Sequence, residues 1–94
     1  MKNNIQKKPI KELLELFLSR DIAALYVELD PYGTDAAREY GETEAQFIER
    51  AAASGCDIAT MKNDIAELER MIDGDPDYME KLNSIKSRFK TLEA

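Results

Sequence analysis

The sequence contains no histidine and no tryptophan, a single cysteine, four glycines and three prolines among 94 residues. Lack of histidine removes the commonest general base and the commonest metal ligand. The single cysteine, Cys56, excludes an intramolecular disulfide and suits a reducing compartment. Its thiol is also the one candidate for a strong nucleophile. With no histidine to act as base, and with Asp57 beside it disfavouring a thiolate, Cys56 reads as a small packing residue. Gly33, Gly41, Gly55 and Gly74 stand apart from one another, so no glycine-rich phosphate loop is present. No apolar run approaches the ~20 residues of a membrane span. The stretch Met1 to Lys8 lacks the apolar middle of a secretory signal. The expectation is a cytoplasmic chain that contacts no membrane.

Three short patterns resemble chemical motifs and fail on their context. Asp73, Asp75 and Asp77 alternate like the first ligands of a calcium loop, but Tyr78 and Ser84 stand where that loop requires glycine and glutamate. Ser87 and Lys90 match a bare S-x-x-K pattern without the other elements of a serine acyl-enzyme. Carboxylate pairs such as Glu39 with Glu42 arise everywhere in so acidic a chain. No catalytic residue, metal or cofactor is assigned, and the chain is expected not to be an enzyme.

What the sequence does have is charge and helical periodicity. Charged residues make up 34% and apolar residues 44%, which favours helices over a β-sandwich. The net charge of −6 is unevenly placed. Residues 1–20 carry five cations and two acids, residues 21–50 eight acids and two cations, and residues 51–94 nine acids and six cations. An acidic middle segment argues against direct nucleic-acid binding, which runs on phosphate neutralisation. The basic C-terminal half of the last helix complements the helix dipole without any nucleic acid.

Residues 1–8 read as a flexible basic arm, and residues 9–94 as one helical domain. Pro9 suits a first helical position. From there Ile10, Leu13, Leu14, Phe17, Leu18, Ile22, Leu25, Tyr26 and Leu29 give a broad apolar face, predicting the most buried helix, with a bend near Ser19–Asp21. Asp30-Pro31-Tyr32-Gly33 reads as a turn. A short helix follows over Thr34–Tyr40, with Ala36, Ala37 and Tyr40 available to face inward. Thr43 and Gln46 form a capping box for a helix carrying Phe47, Ile48, Ala51 and Ala52.

Residues 57–73 and 76–92 then form an antiparallel helical hairpin. Ile58, Met61, Ile65, Leu68 and Ile72 recur at steps of three and four, as do Tyr78, Leu82, Ile85, Phe89 and Leu92. Gly74 supplies a left-handed stop, Asp75 an N-cap and Pro76 a first helical residue. The predicted fold is therefore all-α, a bundle of about five helices ending in this hairpin.

For function, the residues point to a non-enzymatic protein–protein interaction module, a small acidic adaptor, chaperone or regulator. Tyr32, Tyr40, Glu39, Glu42 and Glu44 make the candidate partner surface, tyrosines rimmed by carboxylates. The partner is another protein, or a second copy if the hairpin seams stay partly uncovered. The alternative is an acidic inhibitor that mimics nucleic acid and occupies a nucleic-acid-binding protein.

Overall fold

The computed structural model of the chain describes residues 10–93; the expected basic arm and Pro9 lie outside the described residues. Five helices follow one another: α1 (Ile10–Leu29), α2 (Pro31–Ala37), α3 (Glu44–Ser54), α4 (Ile58–Ile72) and α5 (Pro76–Glu93). Among the described residues there is no strand, and no helix is long and apolar enough to cross a membrane.

Local chemistry sets the boundaries. Thr43 accepts the Gln46 N–H at 3.1 Å while the Gln46 side chain accepts the Thr43 N–H at 2.8 Å, completing the expected capping box of α3. Asp57 accepts the Thr60 N–H at 2.9 Å and starts α4. At the α4–α5 turn Asp73 itself turns left-handed, at φ 50°, and Gly74 continues it at φ 85°. Asp75 then accepts the Asp77 N–H at 3.0 Å as Pro76 opens α5.

The same Asp-Pro signature stands forty-five residues earlier. Asp30-Pro31 is a cap followed by a first helical residue, not a turn: the Asp30 carboxylate accepts the Gly33 N–H at 3.0 Å. A Cβ at position 33 would lie 2.2 Å from that carboxylate, so glycine there protects the cap. The short helix consequently runs three residues ahead of its expected place, and Ala36, Ala37 and Tyr40 stand exposed instead of facing inward.

The core has two sides, and α1 serves both. On one side Leu18, Ile22 and Leu25 meet Met61, Ile65, Leu68 and Ile72 of α4 and Leu82, Ile85, Phe89 and Leu92 of α5 in a single apolar cluster. The two seams, for which a second copy was one possible cover, are covered by α1 within the chain. On its other side α1 is lined with small residues, Ser19 and Ala23, and α3 approaches with Phe47 and Ala52. Small side chains let the two backbones come close enough for the Ser19 hydroxyl to donate to the Ala52 carbonyl at 2.8 Å.

α1 is one uninterrupted helix through Ser19–Asp21, whose polar residues break its apolar run. The polar residues there are the lashings of the bundle. Arg20 donates to Glu49 of α3 at 3.0 Å, with its Nε 2.7 Å from the other carboxylate oxygen, and Arg88 of α5 reaches Asp21 at 2.5 Å. Tyr26 adds a fourth tie, donating to Glu67 of α4 at 2.5 Å. Burial foremost, and then this bond, push its phenol well above the usual range.

As expected, α1 holds more buried residues than any other helix, but they lie between Leu18 and Val27, so its burial is uneven. Leu18, Ile22 and Leu25 are 2% exposed, but Ile10 is 76%, Leu13 38%, Leu14 48% and Phe17 49% exposed. Leu68→Ala should therefore cost about 2–5 kcal/mol of stability, as a cavity in the sealed cluster, while Leu13→Ala should cost under about 1 kcal/mol. Urea unfolding of the two variants measures both.

Candidate docking surfaces

Two surfaces offer themselves, one at the acidic corner of α2 and α3 and one along the open face of α1. At the corner, Tyr32 is 89% exposed and Tyr40 is fully exposed. Glu39 and Glu44 are also open to solvent. Glu42 is different. Arg50 donates to both its oxygens, at 2.8 and 2.9 Å, and the Glu39 N–H donates at 3.0 Å; the side chain is only 9% exposed.

Arg50 is the organiser of this corner, and no local sequence pattern marks it. Its guanidinium lies 5.4 Å from the Phe47 ring centroid, reaches the Ala37 carbonyl at 3.2 Å and stands 3.8 Å from Glu39. Arg38 likewise pairs with Asp35. Glu39 and Glu42 are thus brought together around a cation, while among the described residues no ion pair joins Glu44 to them. The corner presents two open tyrosines over carboxylates that are in good part neutralised.

The second surface was not singled out from the sequence at all. Ile10, Leu14, Phe17, Asp21, Ala24 and Glu28 recur at steps of four and three and so share one face of α1. Neither α3 nor the α4 seam covers that face. Together with α5 it forms a groove in two stretches. One, of about 160 Å³, is lined by Leu14, Phe17, Leu18, Thr91, Leu92 and Arg88. The other, of about 630 Å³, has Asp21 and Glu28 of α1 facing Asp77, Glu80, Lys81 and Arg88 of α5.

Arg88 lines both stretches and stands where they meet. The groove is apolar at the N-terminal end of α1 and negative at the other. Two of its four acids are engaged, Asp21 by Arg88 and Glu28 by Lys81 at 2.7 Å. Asp77 and Glu80 stand in no ion pair among the described residues. Ile10 and Leu13 extend the apolar end beyond the groove, and Arg20 lies 5.6 Å from the Phe17 ring centroid on its flank. A signal for this face was present: apolar residues crowd the first eight positions of α1 over a wider arc than one neighbouring seam can cover.

Cys56 is half-buried in a shallow cleft whose walls include Glu12, Glu15 and Glu49. No family model, curated protein or solved structure matches the chain.

The Arg50 hydrogen bonds, and next the Glu39 N–H, pull the Glu42 carboxyl down to about 2. A folded value below the unfolded one, near 4.3, contributes stability that is present above the unfolded value and lost as pH falls through the folded one. The wild type should therefore be more stable than Glu42→Gln above about pH 5, and the two should converge towards about pH 2. Thermal unfolding across that range checks the sign.

Proposed function

We propose that this chain is a non-enzymatic protein–protein interaction module, a small helical adaptor or regulator of the cytoplasm, which docks its partner through the N-terminal half of α1. The observation that carries this reading is the exposure of Ile10, Leu13, Leu14 and Phe17 on a helix whose following turns are sealed. Four large apolar side chains at helical spacing are the anchor pattern of a helix-face contact. Their exposure costs solubility and adds nothing to the fold, which is the physical mark of a surface kept for binding. The non-enzymatic part rests on the chain's chemistry, with no histidine and its cysteine among carboxylates.

This strip is preferred over the Tyr32 and Tyr40 corner because burying it recovers more apolar area. It is also preferred over the charge-mimic alternative. A mimic of nucleic acid needs an array of open negative charge, whereas Asp35, Glu39 and Glu42 face Arg38 and Arg50 across short contacts.

Quantitative capture from the native host separates these readings. Proteins retained by the wild type should fall at least about tenfold on Leu14→Glu/Phe17→Glu and stay unchanged on Tyr32→Ala/Tyr40→Ala. The reverse pattern would move the docking surface to the acidic corner. Loss of capture in roughly 0.5 M salt with both variants silent would favour the charge mimic.

A further inference from the structure

We propose that a cleft on the far side of α1 from the α5 groove binds a small primary amine, with its ammonium group on the Asp64 carboxylate and its apolar body beside Phe47. The site lies apart from the docking strip and does not rest on it.

Ile22, Ala23 and Tyr26 fall on the face of α1 opposite Asp21, Ala24 and Glu28, which turns them away from α5. With Phe47 and Ala51 of α3 and Asp64 of α4 they line a cleft of about 260 Å³. Most of that lining is apolar, and a few polar groups converge on it, which is the ordinary form of a small-molecule site. The volume sits below the ~300 Å³ at which pockets begin to take drug-sized ligands, so the ligand is a small one.

Every polar side chain of the cleft is an acceptor. The Ser19 hydroxyl gives its hydrogen to the Ala52 carbonyl at 2.8 Å, the Tyr26 phenol to Glu67 at 2.5 Å and the Thr34 hydroxyl to the Asp30 carbonyl at 3.0 Å. What these three have left is oxygen lone pairs. Asp64 adds a carboxylate, and among the described residues no Lys or Arg lines the cleft. A ligand that fits must bring the donors and the positive charge, which excludes anions and compounds with acceptors alone.

Asp64 is also a half-buried acid that the fold leaves without a counterion. Asp21, Glu28, Glu42 and Glu49 each meet an Arg or Lys. Among the described residues the Asp64 carboxylate stands in no ion pair and accepts no hydrogen bond. Burial foremost, then the negative charges of Glu67 and Asp57, hold its carboxyl above the usual range. A partly desolvated charge without a partner is destabilising, and a cation placed beside it is held more firmly than at the open surface. A primary ammonium has three N–H donors for the carboxylate and the hydroxyl oxygens, while a short carbon body covers the apolar lining.

Titration of the amide NMR spectrum with phenethylamine, near neutral pH where the amine is charged, tests the site. Phenethyl alcohol serves as its neutral counterpart, and a lysine blocked at both ends stands for a side chain reaching in from a partner protein. The amine should saturate with a dissociation constant of about 2 mM or tighter and shift the amides of Ala23, Ala51 and Asp64. The alcohol should bind at least about tenfold more weakly, because it lacks the charge that Asp64 selects. Asp64→Asn should weaken amine binding by at least about tenfold while melting no lower than the wild type, since it removes an unpaired charge. Leu14→Glu/Phe17→Glu should leave amine binding unchanged.

Saturation weaker than about 2 mM would overturn the site, as would shifts confined to other parts of the molecule. Equal binding of amine and alcohol would do the same, and that comparison needs no variant to fold. So would an Asp64→Asn chain that binds the amine as the wild type does. Tighter binding of the blocked lysine than of phenethylamine would overturn the free amine as ligand and give the seat to a partner's lysine.

Discussion

One helix has to satisfy two packing partners at once, and the rest of the bundle follows from how α1 does it. Its large aliphatic residues, Leu18, Ile22 and Leu25, face the joined seams of α4 and α5. Its small residues, Ser19 and Ala23, face α3, where only small side chains allow the approach that brings the Ser19 hydroxyl within 2.8 Å of Ala52. Large and small residues thus divide one helix between two neighbours of different reach. A remaining face is covered by neither, and the sequence along it changes character halfway. From Asp21 to Glu28 it is polar and held by ion pairs to α5, while from Ile10 to Phe17 it is apolar and open.

The ion pairs are secondary to this division. Arg20 with Glu49, Arg88 with Asp21 and Lys81 with Glu28 are largely solvent-exposed pairs, each worth roughly 1 kcal/mol or less. They fix rotation and register about a core whose stability comes from the apolar cluster. Glu42 is set apart because Arg50 holds both of its oxygens while resting on Phe47, tying the loop before α3 to the helix itself.

Local signals in the sequence were the ones that could be read reliably. The heptad-like rows of α4 and α5, the Thr43–Gln46 capping box, and the Asp57 and Asp75 caps each involve residues within one or two turns, so their chemistry is complete in a short window. Asp30-Pro31 carried the same information as Asp75-Pro76. Gly33 two positions on lets it satisfy a turn pattern too, and a turn there places the helix three residues late. What periodicity cannot convey is which neighbour covers an apolar face. Ile10 and Leu18 obey the same spacing, yet one is 76% exposed and the other 2%. For the same reason the tyrosine corner was visible in the sequence, being a cluster along the chain. The α1–α5 groove was not, because Leu14 and Leu92 are brought together only by the fold.

Native-state hydrogen exchange along α1, at a dilution where the protein is monomeric, bears most directly on this division. Amides of residues 18–29, held between α3 and the α4–α5 pair, should exchange only through global unfolding. Those of residues 10–17, with one face open, should exchange through local opening at least about 100-fold faster. Uniform protection from Ile10 to Leu29 would mean that something within the chain covers the strip, and would contradict the account.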